Sequence, residues 1–590
     1  MMRRRADLPE VALAPWSALI PSDSFYARLA EYRDALVSDD EYAALYKDSR
    51  RGQPSIPPSL VVLAMLLQFH DDCSDREAEM RLRFDLRWKH ALGLGLEDTG
   101  FDATVLCRFR RKFLDRGLER SLFERLVGAA RDAGLLAKGA EQLVDSSHVL
   151  GAAGVRDPYT LIRGGIRKLL RALGHTPATR GGLGERLGRY LDPDAPEKPD
   201  LDWTNAPARA EYLREAVEDV RAALALVDTK GGASPAISEA SALLTKIVAD
   251  DVEEGFPAPP TKRGRPRKAP VERQADADGG GESAAPRIRR GVARDRTVSV
   301  VDPQMRVGHK SERHSWAGYK AHICEEPGSE LITAVEVRPA NEHDAEPVVG
   351  LVGRQEGAVG LRPGALLCDG AYGTADARAD LGELGVEVVA KLRPLPDGKH
   401  YGKDEFGIDL ESSSSRGRCR KSLRDVADGG AGSVTCPAGV TTTDYRMARD
   451  SKDRPVKLFR FPRGVCDACA ERARCLGGPC GRLENPVRRP PGRQVQLHYR
   501  EAALQTARAA QKTPEQRREL RERLRPRAKV ERKIAEVMRL HGLRHGRYLG
   551  LAKTGLQAML IAAAVNAKRL LHLAAADSEV AVALRRALTT

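Results

Sequence analysis

From residue 26 to 136 apolar positions recur three and four apart, which predicts helices throughout. Pro57-Pro58 opens one of them, with Leu60, Leu63, Ala64 and Leu67 on its buried stripe. Ser74 before Asp75-Arg76-Glu77 predicts an N-cap. Another helix carries Val105, Phe109 and Phe113, with Arg108, Arg110, Arg111 and Lys112 between them. The period then changes. Gln142 to Leu150 reads as a short strand holding Asp145, followed by a basic helix on Leu161, Ile162, Ile166, Leu169, Leu170 and Leu173.

Residues 174–207 read as loop, 213–227 and 236–250 as helices, and 254–293 as a disordered Pro/Gly/charge-rich stretch. β-branched runs follow at Val298–Val301, Tyr319–Cys324 and Leu331–Val337, the last two a hairpin turning at Gly328. A helix over 344–352, the strand Ala365–Cys368, a second helix and the strand Val386–Ala390 complete the pattern. This order predicts a mixed α/β domain. Residues 396–500 interrupt it with Gly, Ser, Arg and Cys, and helices close the chain from 502 to 588.

Composition narrows the function. At roughly 150 residues per domain, 590 residues suggest about four units. Uninterrupted apolar stretches of about 18 residues are missing, so no membrane span is expected. The best candidate, Leu556–Leu573, is broken by Gln557, Asn566, Lys568 and Arg569. Lys and Arg number 97 against 82 Asp and Glu, a net charge of +15 that favours an anionic partner, nucleic acid first. The alternative is a basic composition with no ligand behind it.

Two acids stand out by position. Asp145 lies within the first strand of the α/β region, and Asp369 ends the strand 365–368 before a glycine. Carboxyl ends of strands are where α/β sheets place ligands, and carboxylates suit hard divalent cations. On the closing helices, Val530, Ile534, Val537 and Met538 form an apolar stripe. Glu531 lies at its margin, with Arg527 one turn earlier, while Glu536 points away. Turn aspartates and a surface Arg–Glu pair are the competing explanations.

Taken together, "LVDSSHVL", "LLCDGAYG" and "RAKVERKIAE" resemble the acidic triad of DDE insertion-sequence transposases. "GHKSERHSWAGYKAHI" with "ITAVEVRPANEHD" resembles that family's hairpin, and "HGLRHGRYLGLAKTGLQAMLIAAAVNAKRL" its closing helix. The likeness covers about 20–175 and 295–575 in matching order. It implies an RNase-H-like core with Asp145, Asp369 and Glu531 as catalytic ligands of Mg²⁺ or Mn²⁺. Two such ions would activate the attacking oxygen and neutralise the leaving one. It also implies a cut at inverted-repeat ends, transfer of the 3′-OH to target DNA, and a homodimer or larger assembly on double-stranded DNA. The expected setting is the bacterial cytoplasm, at the nucleoid. The family's Glu helix often reads Tyr, two residues, Arg, three residues, Glu, six residues, Lys. Here Arg527 and Glu531 fit, but Leu524 and Met538 stand at the Tyr and Lys positions. A catalytically inactive DNA-binding remnant on the same scaffold therefore stands as the alternative.

The expected layout is a helical DNA-binding domain (1–138), a split RNase-H-like core (139–175 and 296–395), a helical and disordered insertion (176–295), a Cys-rich insertion (396–500) and C-terminal helices (501–590). Expected DNA contacts are Arg108, Arg110, Arg111, Lys310, Arg527 and Arg265. The last lies in an AT-hook-like Lys262–Lys268 segment. His148, His309 and His322 read first as structural histidines. Cys436, the Cys466–Cys469 pair and Cys475 have the donor number of a structural Zn²⁺ site, with Cys480 a spare and reduced free thiols the alternative.

Overall fold

The computed structural model describes the chain except residues 1, 6–14, 47–54, 197, 199–200, 230–233, 254–284, 312, 393–399, 411–431, 451–452, 477–491 and 590. The hook-like segment with Arg265, and Cys480, lie outside the described residues. The chain divides into two units: 1–259, 280–367 and 526–590 in the first, 260–279 and 368–525 in the second.

The first unit is built on a sheet. Its strands are β1 (Glu141–Leu150), β2 (Arg306–Ser311), β3 (His314–Glu326), β4 (Leu331–Pro339) and β5 (Ala365–Cys368). β1 runs antiparallel to β3, pairing Leu143 with Glu325 through Leu150 with Gly318. The other edge of β3 takes β4 along 319–326 and β2 along 314–318. β5 neighbours β1. Gly318 (φ +148°) sits where β3 passes from β4 to β2, and a Cβ there would meet the Val149 carbonyl at 2.2 Å. Only glycine permits that approach.

One helix ties this sheet to the N-terminal block. Leu551–Ala576 is long and apolar enough to cross a membrane, yet 72% of its most apolar window is buried inside the protein. It packs on β4 and on helices Pro58–His70 and Ser121–Asp132, so sheet and N-terminal helices share one hydrophobic core. Its buried Asn566 accepts from the Ile332 N–H (2.9 Å) and donates to the Ile332 carbonyl (2.7 Å), satisfying the edge of β4. Ser74 caps Asp75–Phe84 in a capping box with Glu77. A second core joins helices Pro158–Ala172, Ala206–Thr229 and Pro235–Asp251.

Several expectations are corrected. Val298–Val301 is not a strand: Val298 is buried and its carbonyl accepts from the Arg156 N–H (3.0 Å), while Val301 is exposed. The segment expected as loop over 174–207 holds the 3₁₀ helix Pro177–Leu183 and the short helix Gly184–Gly188. The helix expected at 344–352 spans Val348–Val359, starting after Pro347.

In the second unit, helix Ala375–Glu383 leads to β6 (Glu387–Val389), and the Cys368 thiol donates to the Val389 carbonyl at 3.9 Å. Two small antiparallel sheets follow, 407–409/433–435/441–442 and 445–449/455–460/494–498. Their core is Phe406, Val434, Phe459, Phe461, Val495 and Leu497.

Candidate active site

Burial along β1 changes halfway. Gln142, Leu143 and Val144 are buried, while Asp145, Ser146, Ser147 and His148 are half-buried. The apolar half anchors the strand and the polar half opens to solvent, as a ligand-bearing strand end does.

The helix Ala528–Arg539 packs across β1 and β3 through Val530, Val537 and Met538. Arg527, at its N-cap, places a guanidinium nitrogen 3.4 Å from Asp145 Oδ2. Residues four apart share a helix face. Glu531 is thus one turn beyond the arginine that touches Asp145. It is exposed and has no hydrogen bond or ion pair among the described residues. Glu536 differs: Lys533 (2.9 Å) and Lys568 (3.1 Å) hold its carboxylate and keep it below the usual range against the opposing pull of burial. Met538, at the position where the motif often has Lys, is buried in the core.

Asp369 belongs to the second unit. It directly follows β5, whose Ala365–Cys368 are all buried, and is itself exposed. Its Oδ1 accepts from the Gly370 N–H, and its carbonyl accepts from Tyr372 N–H (3.0 Å) in a tight turn. Among the described residues no three His, Cys, Asp or Glu side chains stand close enough to hold a metal ion.

Positive charge surrounds the open half of β1. Arg544 lies on a segment that pairs with the end of the strand: Leu150 N–H donates to the Arg544 carbonyl (2.9 Å) and Gly546 N–H to the Leu150 carbonyl (2.7 Å). Its guanidinium donates to His148 Nε2 (2.6 Å) and to the His148 carbonyl (3.1 Å). Burial, then Arg544 and Lys310, push the His148 imidazolium down in pKa, which keeps the ring neutral as an acceptor. Lys310 is exposed on β2. Arg544 was not singled out from sequence, although it lies in the basic closing segment.

Ser146 carries a further network. Ser146 Oγ donates to Asp344 Oδ1 (3.2 Å), which also accepts from Lys320 Nζ (2.7 Å). His322 is buried beside it, and burial drives its imidazolium down to about 3.

On the helix Ala103–Arg116, Arg108 and Arg111 are exposed but Arg110 is buried. Arg110 pairs with Asp75 and donates to Gln68 Oε1 (3.2 Å), with its guanidinium over the Tyr548 ring. Its expected place on a DNA-binding face is corrected: it is a structural arginine linking helices.

Comparison with protein families agrees with this organisation. Residues 14–112 match a Transposase domain (DUF772), and residues 289–453 and 435–571 each match a Transposase DDE domain. Asp369 and Glu531 fall inside these matches and Asp145 between them. None of the curated proteins or solved structures compared with the chain matches it. The chain belongs to the DDE insertion-sequence transposases.

Proposed function

We propose that this transposase cuts DNA at the inverted-repeat ends of its insertion sequence and joins the freed 3′-OH ends to target DNA. The observation that carries this reading is Arg527 against Asp145, with Glu531, exposed and unpartnered among the described residues, one helical turn on. An RNase-H-like core is the corresponding fold. The central, acid-bearing β1 flanked by β3 and β5, with the β3–β4 hairpin outside, supports it.

The donor chemistry fits divalent cations: exposed or half-exposed carboxylates, with Glu531 paired to no cation among the described residues. Asp145, Asp369 and Glu531 would hold Mg²⁺ or Mn²⁺, which supplies charge neutralisation at the attacking and leaving oxygens. Arg527 fixes the Asp145 carboxylate and offers its remaining N–H groups to a phosphate. Arg544 and Lys310 add phosphate contacts along β1, and Arg108 and Arg111 do so on the N-terminal helix. Two element ends must be held together, so the working form is a homodimer or larger assembly on DNA.

The test is to incubate the purified chain, Mg²⁺ and a duplex ending in the element's inverted repeat with a target plasmid. Strand cleavage at the repeat end and a joined product are expected. Binding without cleavage in Mg²⁺ or Mn²⁺ would instead establish the inactive remnant.

A further inference from the structure

The small β domain of the second unit contains a feature the transposition chemistry does not use. Cys436, Cys466, Cys469 and Cys475 all line one cavity of about 310 Å³. Three separate local structures bring them there. Cys436 opens a tight turn between strands 433–435 and 441–442: Gly439 N–H donates to its carbonyl (2.9 Å), and its own N–H donates to Val440 (2.8 Å). Gly439 has φ +82°, which favours glycine there. Cys466 lies in helix Arg463–Asp467, Cys469 just beyond it, and Cys475 in helix Arg472–Leu476.

The surroundings suit thiolates. The Arg493 N–H donates to Cys466 Sγ at 3.4 Å. The Arg493 guanidinium donates to the Cys475 carbonyl (2.8 Å) and the Tyr401 carbonyl (3.0 Å), while its Nε is buried with no hydrogen-bond partner among the described residues. Arg472 donates to the Cys466 carbonyl (3.3 Å). Four thiolates on a divalent ion carry a net negative charge, which these arginines would offset. The core beneath is six buried side chains, with Cys436, Cys466 and Cys475 packed on it. So small a core calls for a staple.

We infer that Cys436, Cys466, Cys469 and Cys475 bind one tetrahedral Zn²⁺ that holds this small β domain together. Binding converts four thiols to thiolates, releases their protons to solvent and forms Zn–S bonds of about 2.3 Å. Among the described residues the four thiols line one cavity without standing at ligand distance from a common point, so binding requires their side chains to turn into that cavity. The site is independent of the catalytic carboxylates, so its failure and theirs are separable.

The experiment uses the full-length chain expressed in zinc-supplemented medium. Elemental analysis should give about one zinc per chain. Exchange for Co²⁺ should give thiolate-to-metal charge-transfer absorption with a tetrahedral d–d spectrum. Cys466→Ser with Cys475→Ser should lower occupancy at least about tenfold, whereas Cys107→Ser, on an exposed helix position, should leave it unchanged. Should the double variant fail to fold, thiol titration of the unaltered chain decides: a strong chelator should expose four additional reactive thiols. Substoichiometric zinc, zinc retained by the double variant, or no thiols released by the chelator would each overturn the inference.

Discussion

The guanidinium of Arg527 stands 3.4 Å from the Asp145 carboxylate, joining two residues 382 positions apart. The link places a helix N-terminus beside the polar half of β1, with Glu531 one turn further along that helix.

Replacing Arg527 should therefore harm catalysis more than folding. A charged hydrogen bond is worth about 1.5–3 kcal/mol, so Arg527→Ala should slow end cleavage roughly 10- to 100-fold. Arg527→Lys should recover part of the rate. The side chain is 23% exposed, and the melting temperature should change little. Cleavage kinetics beside a thermal melt check both parts.

Glu531 and Glu536 should separate cleanly. Glu531→Gln should abolish cleavage with a stability change within about 0.5 kcal/mol, because the residue is exposed and unpartnered among the described residues. Glu536→Gln removes the charge facing Lys533, whose side chain is only 8% exposed. It should cost on the order of 1–3 kcal/mol while cleavage at permissive temperature persists. Denaturant melts and single-turnover cleavage of both variants check this.

The N-terminal helix gives a parallel contrast. Arg108→Ala and Arg111→Ala should each weaken DNA binding and reduce the salt slope by about 1, without loss of stability. Arg110→Ala removes the cation from Asp75 in a mostly buried pair, leaving it only the Gln68 amide (2.7 Å) among the described residues, and should cost on the order of 3 kcal/mol. Salt-dependent binding isotherms and thermal melts distinguish the roles.

Glu325 predicts a pH dependence of stability. It is buried on β3, its Oε2 lacks a hydrogen-bond partner among the described residues, and burial pushes its carboxyl up to about 7. A raised folded-state pKa means that the fold binds the proton more tightly than the unfolded chain. Its contribution is complete below pH 4.5 and is lost as pH rises through 7. Glu325→Gln should therefore stabilise the protein at pH 8 by on the order of 2–3 kcal/mol and not at pH 4. Chemical denaturation at both values measures the difference.

Much of this fold was legible because its elements carry strong periodic signals. The β3–β4 hairpin, β5 and the flanking helices follow their apolar patterns. Asp145 and Asp369 were visible as acids on strand-like runs, and Glu531 as the acid at a stripe margin. What escaped depends on long-range packing. β2 holds Gly308, which weakens a strand signal, yet the Trp316 ring lies where its Cβ would be, at 2.6 Å. Val298–Val301 has β-branched residues but docks as an irregular segment, since only tertiary contacts decide whether such a run finds a neighbour. Arg110 looks like its exposed neighbours until the helix packs and turns it toward Asp75. Arg544 reaches His148 only because its backbone pairs with the end of β1. The short strands of the second unit are two to six residues long and leave little periodicity to read.

Asp145→Asn tests the central claim most directly. The substitution keeps the size of the side chain and removes its charge. With Mg²⁺ and a duplex bearing the element's end, the variant should bind that end with unaltered specificity and leave both strands intact. Strand cleavage by Asp145→Asn at a rate close to that of the unaltered protein would contradict the account.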